Sequence, residues 1–376
     1  MWRRLSGIVG LFVVLLLIHG VAVAPGVVGR AEAQVKGQQS LQQLIDGAKK
    51  EGSLRIAGVS GTGRAGAVAI GEAFNKRFGL NIKVDYSIEA FAPTDFARAI
   101  SEVKQGLATS FDVLNGPIDY TLRLCQVGCA SVDNWQKLLP KGVDPANASP
   151  SPMDGKAFLS ATREPAIIYN TNLITEAELP KTTRDLVDPK YKGKFYTAAW
   201  TDFVAHGLVV YPKDEWLKTL QGWGENKATT IFSGQGVSRM MLGEFAFEPF
   251  SNSYYYFREK ANNNPVGLAF FHDVVPISLV IHIIPKTARH PNAAALFMLW
   301  ATGPEFNAIF EKHSGTGNIY LDSSEIGKGS MKAIKKAGAR TVRWTESAES
   351  WEVLKWLASQ EGITYNRQMA KALKVQ

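Results

Sequence analysis

Gly61-Thr62-Gly63-Arg64-Ala65-Gly66 follows a short β-like run and opens a helical one. Glycines at that spacing let a backbone approach an anion, and a helix N-terminus supplies N–H donors and a positive dipole end. Asp85, about 20 residues on, completes the pattern of a dinucleotide fingerprint. Three readings follow from these residues: contact with a non-nucleotide ligand, a tight turn with no ligand, or a dinucleotide site. A second glycine turn, Ser233-Gly234-Gln235-Gly236, stands before another helical stretch. Other catalytic arrangements fail on spacing. Gly58-Val59-Ser60-Gly61-Thr62 lacks the last glycine of a nucleophile elbow. None of the six histidines sits in an H-E-x-x-H pattern. His272 and Asp273 are neighbours, which on a strand point to opposite faces. No pair of carboxylates has a defined spacing, so the chain is expected not to be an enzyme and to need no cofactor, with an exported α/β enzyme as the remaining alternative.

The two cysteines, Cys125 and Cys129, are too few for the usual metal sites. The segment 118–127 reads as a helix stopped at Gly128, expected in the left-handed C′ conformation. Such a turn brings Cys129 back toward Cys125. A local disulfide and two free buried thiols are the alternatives, and an oxidising compartment favours the first.

The elements that position the glycine turns alternate. Leu41, Leu44, Ile45 and Ala48 have helical spacing ahead of Gly52. A strand is expected over 54–59, a helix over 65–78 closed by Gly79, and a strand over 82–86. This β-α-β unit implies parallel strands. Further helices are expected over 95–104, 214–220, 237–242, 292–301, 304–312 and 351–357. Strands are expected over 111–114, within 158–169, and over 229–232, 245–247 and 275–284. The sum is an α/β protein in two lobes.

The N-terminus bears on compartment. Arg3 and Arg4 precede an apolar run from Ile8 to Ile18, and Ala31-Glu32-Ala33 reads as a cleavage site. That order is a secretory signal peptide over 1–33. The run is interrupted at His19 and Pro25, short of the roughly 20 apolar residues of a membrane span. Export argues against a dinucleotide, which is scarce outside the cytoplasm. The formal charge of +8 becomes +6 when Arg3, Arg4, Arg30 and Glu32 leave with the leader. Lysines and arginines are scattered, and nucleic acid is not an expected partner.

Four pieces in order carry a family resemblance: Gly47-Ala48-Lys49-Lys50-Glu51-Gly52; Ala73-Phe74-Asn75-Lys76-Arg77-Phe78-Gly79 with Ile82-Lys83-Val84; the run from Ile167-Ile168-Tyr169-Asn170-Thr171-Asn172 through Leu179-Pro180-Lys181-Thr182 to Asp188-Pro189-Lys190-Tyr191-Lys192-Gly193-Lys194; and His290-Pro291-Asn292-Ala293-Ala294. Over roughly residues 41–320 the chain resembles the extracellular solute-binding proteins of ABC importers, in the branch of the ferric-iron-binding proteins. The resemblance implies a type II periplasmic-binding fold: mixed sheets with flanking helices, and lobes joined by crossings near 162–169 and 275–284. Its boundaries would be 34–165 for the first lobe, 166–276 for the second, and 277–376 for the return and C-terminal helices. It also implies a periplasmic monomer that closes on a small solute and docks on the transmembrane subunits of a permease.

The same resemblance directs attention to loop ends facing the cleft. These are Ser60, Thr62, Gly63 and Arg64; Asn115 and Gly116; Trp200 and Thr201; and Gln235 with Gly236. Arg163, near the first crossing, suits a carboxylate ligand or a structural ion pair. Tyr254 and Tyr255, within Asn252-Ser253-Tyr254-Tyr255-Tyr256, match the adjacent tyrosines of ferric-binding relatives. Ser60-Gly61-Thr62-Gly63 stands where some of those relatives carry a histidine. The expected solute is a small anion. Fe3+ held by Tyr254 and Tyr255 is the alternative, and packing of the clustered aromatics is the third reading.

Overall fold

The computed structural model describes residues 40–90, 92–198 and 203–375, with Ser60 described in its backbone only. The proposed leader and the pair Trp200 and Thr201 lie outside the described residues. Among those described, no helix is long and apolar enough to cross a membrane.

Helix α1 (Leu41–Glu51) begins at Ser40, whose side chain and that of Gln43 form a reciprocal capping box, and ends at Gly52 in the left-handed conformation. Strand β1 (Ser53–Ala57), helix α2 (Gly63–Phe78), strand β2 (Lys83–Ser87), helix α3 (Ala92–Lys104), strand β3 (Val113–Gly116) and helix α4 (Ile118–Val127) follow. Two short helices, α5 (Trp135–Leu138) and α6 (Pro145–Ala148), lead to strands β4 (Ala157–Arg163) and β5 (Pro165–Asn170). Next come β6 (Tyr196–Thr197), α7 (Lys213–Asn226), β7 (Thr229–Thr230), α8 (Ser233–Met241), β8 (Phe247–Asn252), α9 (Tyr254–Ala261) and β9 (Val266–Ala269). The chain closes with β10 (Val275–Pro276), β11 (Ser278–Ile283), α10 (Pro291–Ala301), α11 (Pro304–Ser314), α12 (Glu325–Ala337), β12 (Thr341–Val342), α13 (Ala348–Ala358) and α14 (Gln360–Ala372).

The strands sort into two main sheets. The first lobe carries five in the order β2-β1-β3-β11-β4, and the second carries β8-β5-β9. β1 pairs in parallel with β2 and β3, as a β-α-β connection requires, while β11 runs antiparallel to β3 and β4. One residue, Glu164, separates β4 of the first sheet from β5 of the second. The return runs from β10 into β11. The two-lobe, mixed α/β architecture is the one expected.

Two large apolar clusters hold the sheets, and the second also takes in Leu159 of β4 and Ile281 of β11. In the first lobe Leu54, Ile56, Phe74, Val113, Phe158, Phe297 and Phe306 pack together, with α10 buried along almost its whole length. In the second, Ile167, Phe195, Trp216, Trp223 and Phe247 pack with residues from both C-terminal helices, among them Leu354 and Met369. Burial of each such side chain is worth roughly 1.5–3 kcal/mol.

Three local expectations need correction. The strand expected over 245–247 begins at Phe247 and runs to Asn252. α8 starts at Ser233, so the second glycine turn is the helix's first turn rather than a loop before it. Gly128 has φ 143 and ψ 118, which is not the left-handed helical conformation. The chain there passes straight into a bridge between Cys129 and Pro285, and the Lys286 side chain fills the space where a Cβ at 128 would lie. The disulfide between Cys125 and Cys129 is formed nonetheless.

Candidate solute site between the lobes

The first-lobe half of the site is the chain that leaves β1. A Cβ at Gly58 would lie 2.2 Å from the Tyr86 ring, so only glycine lets β1 exit over that ring. The Val59 N–H then donates to the Tyr86 hydroxyl at 3.2 Å. Burial pushes the Tyr86 phenol up, while neighbouring Thr62 and the Arg163 charge pull it down. That places Thr62 and Arg163, remote in sequence, around one buried hydroxyl. Thr62 is itself buried, and Gly63 adopts φ 65 as α2 opens. Arg64 is exposed, and its guanidinium has no ion-pair partner among the described residues. Asn115 and Gly116 end β3 but face inward differently: the Asn115 amide donates to the Ile281 carbonyl at 3.3 Å, and Gly116 lies tight against Phe96.

The second-lobe half is built on Glu248, fully buried in β8. Its carboxylate accepts from the hydroxyls of Tyr196 at 2.7 Å, Ser233 at 2.7 Å and Ser251 at 2.6 Å. One acid thereby ties β6, the first turn of α8 and the approach to α9. Burial pushes Glu248 up, and these three hydroxyls oppose the shift. Tyr196 lies flat on α8, where a Cβ at Gly236 would come within 2.1 Å of its ring. Its phenol is raised, first by burial and then by the Glu248 charge, and it lies close enough to Tyr255 for the two to interact.

Tyr254 and Tyr255 open α9 with ring centroids 4.2 Å apart. The Arg258 guanidinium lies 5.7 Å from the first ring centroid and 4.9 Å from the second, and donates to the Tyr254 hydroxyl at 3.3 Å. Arg258 also pairs with Glu259, which accepts from the Asn264 amide at 2.6 Å. The Tyr255 hydroxyl lies 3.5 Å from where a Cβ on Gly234 would be, over the N-terminus of α8. Burial raises the Tyr255 phenol most, and Arg258 pulls it down. Gln235 is exposed on the same turn.

The two halves meet at Tyr254, whose ring touches the end of α11 in the first lobe: a Cβ at Gly315 would sit 2.8 Å from Tyr254 Cδ2. Ser314 beside it borders Gly61, 4.0 Å from that glycine's Cβ position. The glycine turn after β1, the tyrosine pair and the first turn of α8 are therefore linked by a chain of close approaches. Asn115 and Gly116 are engaged in sheet and packing contacts. Sequence reasoning missed Tyr86, Tyr196, Glu248 and Arg258. Arg258 alone carried a readable signal, four residues after Tyr254 and so on its helical face. Among the described residues no cluster of three or more His, Cys, Asp or Glu could hold a metal, so the donors here are phenols, hydroxyls, guanidinium groups and backbone N–H.

Residues 69–342 match the family model of the bacterial extracellular solute-binding proteins. A curated relative, the Fe(3+)-binding periplasmic protein of Serratia marcescens, is 24 % identical over 175 residues, 43 % of this chain. The match spans 51 % of that protein's length, so the chain aligns with about half of it. Among solved structures, iron-bound HitA from Pseudomonas aeruginosa superposes with a TM-score of 0.67 at 18 % identity, over 84 % of this chain and 99 % of that one. FutA from Trichodesmium, in complex with iron and citrate, gives 0.63 at 19 % identity, over 85 % and 99 %. At these identities the superpositions establish the fold, and the two-lobe periplasmic-binding architecture is the one both share. The family match covers most of the chain: it belongs to the bacterial extracellular solute-binding proteins.

Proposed function

We propose that the chain works in the periplasm, binds a small oxyanion-bearing solute, a carboxylate or phosphate, between its lobes, and delivers it to the transmembrane subunits of a permease without catalysing a reaction. The supporting observation is the state of the charges around the site. The Glu248 carboxylate already accepts three hydroxyls, and Glu259 is held by Arg258 and Asn264. The groups offered to a solute here are donors: the Tyr254 and Tyr255 hydroxyls, the Arg258 guanidinium, the first turn of α8, Thr62 and Arg64. Ligand oxygens gripped from both lobes stabilise the closed form, and only such differential contact can shift the lobes.

Ferric iron is a second reading, favoured by one observation: Tyr254 and Tyr255 stand side by side next to the Arg258 guanidinium, with Tyr196 close to Tyr255. Phenolate oxygen is a hard donor suited to a hard trivalent cation, and the Serratia and Pseudomonas relatives are named for iron. Native mass spectrometry with metal analysis of the purified protein separates the two. The anion reading expects an organic or phosphate mass without stoichiometric iron, lost roughly tenfold or more in affinity on Arg258→Ala. Stoichiometric iron with a visible absorption band that vanishes in Tyr254→Phe/Tyr255→Phe would replace the anion with the metal.

A further inference from the structure

Three segments of this chain share the pattern Ser-Gly-x-Gly: Ser60-Gly61-Thr62-Gly63, Ser233-Gly234-Gln235-Gly236 and Ser314-Gly315-Thr316-Gly317. They lie far apart in sequence, yet the fold brings all three around the tyrosine pair. The first two line the solute site. The third has no role in that description. We propose that the 314–317 turn is the stop on which the second lobe closes, with Gly315 setting the closed distance and hence the size of solute admitted. This rests on the reading of the space between the lobes as a solute site.

The turn is rigidly part of the first lobe. Gly315 ends α11 with φ 66, and its N–H bonds to the Glu311 carbonyl at 2.9 Å. The Ser314 hydroxyl donates to the Phe310 carbonyl at 2.7 Å and accepts from the Thr316 N–H at 3.2 Å. Its far end is fastened to the crossing. The Thr162 N–H donates to the Gly317 carbonyl at 2.9 Å, and the Ile319 N–H donates to the Thr162 hydroxyl at 3.0 Å. Thr162 stands two residues before Glu164, where the chain passes between sheets. Against this fixed turn lies the Tyr254 ring of the second lobe. Its edge meets Gly315 while its hydroxyl is turned to Arg258. One side chain thus touches the opposite lobe with its ring and offers the site its oxygen. At 315 any side chain would occupy the place of that ring, 2.8 Å from Cδ2 and 3.3 Å from Cβ. A packed interface of this kind switches between discrete arrangements rather than deforming smoothly.

Small-angle scattering of the full chain tests this without knowledge of the solute, so a negative result leaves the proposed function standing. Gly315→Ala should enlarge the radius of gyration, because the added methyl holds the lobes apart. Gly338→Ala is the control: φ there is 61, so the backbone strain is alike, but nothing lies within 4 Å of the new atom. That variant should scatter like the unaltered protein. Combining Gly315→Ala with Tyr254→Ala should restore compactness. If Gly315→Ala does not fold, Tyr254→Ala alone decides, since removal of the ring should let the lobes approach and reduce the radius. An unchanged radius in Gly315→Ala, an equal increase in Gly338→Ala, or a radius unmoved by Tyr254→Ala would each overturn the proposal.

Discussion

Tyr196 owes its place to an acid 52 positions away, Glu248, and the pair shows how the second-lobe half of the site is assembled from single residues. Replacing Glu248 with Leu leaves three buried hydroxyls without an acceptor. Each such loss costs about 1–3 kcal/mol, although serine hydroxyls can turn to a backbone carbonyl. We expect Glu248→Leu to lose about 3 kcal/mol in urea unfolding. Glu248→Gln, which keeps an acceptor oxygen, should retain most of the stability; equal losses in both would show that the hydroxyl network contributes little. On the first lobe, Arg64 is the exposed guanidinium at the glycine turn. If it meets the solute, Arg64→Ala should weaken binding roughly tenfold with no change in thermal stability. An unchanged affinity by calorimetry would remove Arg64 from the site. Tyr254 and Tyr255 drew attention through the resemblance to ferric-binding relatives, which carry adjacent tyrosines. Tyr196 and Glu248 did not, since a lone strand tyrosine or glutamate in sequence looks the same whether it packs, faces solvent or organises a site.

At the scale of elements, the glycines decide where helices can approach. The ring of Tyr196 lies where a side chain at 236 would be, so Gly236→Ala must displace either α8 or β6. Both carry site groups. We expect solute binding to be lost while the helical circular dichroism signal persists; full binding by Gly236→Ala would show that this contact has room to give. The short link of Cys125 to Cys129 acts differently, since it fastens the end of α4 to the segment that bridges to Pro285. Closing so small a loop constrains the unfolded chain by only about 2 kcal/mol. Cys125→Ser/Cys129→Ser should therefore lower the urea midpoint modestly and leave binding intact. Helix ends such as Gly52 and Gly79 were readable in sequence because a left-handed C-cap is a local demand. Gly128 was misjudged because a contact with Lys286, more than 150 positions later, set its backbone.

Across the whole molecule, two buried titratable groups pull stability in opposite directions. Burial pushes Glu164, at the crossing between sheets, up to about 7, with the Thr162 and Ser330 hydroxyls opposing. Its ordinary value is 4.5, so between 4.5 and 7 the unfolded chain releases a proton that the folded chain keeps. Its contribution is whole below that window and is lost as pH rises through it. Burial pushes His282, packed against Phe297 and Phe306, from 6.5 down to about 3. There the unfolded chain gains a proton that the folded chain refuses, and stability falls as pH falls below 6.5. The windows overlap between 4.5 and 6.5, where each group contributes a slope of up to about 1.4 kcal/mol per pH unit, of opposite sign. Glu164→Gln should make unfolding free energy rise more steeply with pH there than in the unaltered protein, and His282→Gln should make it fall. Identical slopes in all three by urea titration would count against both assignments.

The sequence by itself determined what local chemistry can dictate: alternating helices and strands, their glycine ends and the β-α-β start. These depend on residues near one another, where periodicity and backbone conformation leave few choices. Only the tertiary structure decided that the three Ser-Gly-x-Gly turns lie near the tyrosine pair, that Glu248 gathers the Tyr196, Ser233 and Ser251 hydroxyls, and that Tyr254 rests on Gly315. Those relations join segments from different lobes, and no local rule carries the distance between them. Which side chains meet is set by how the two sheets and their helices pack, and the identity of a residue does not reveal what lies across from it.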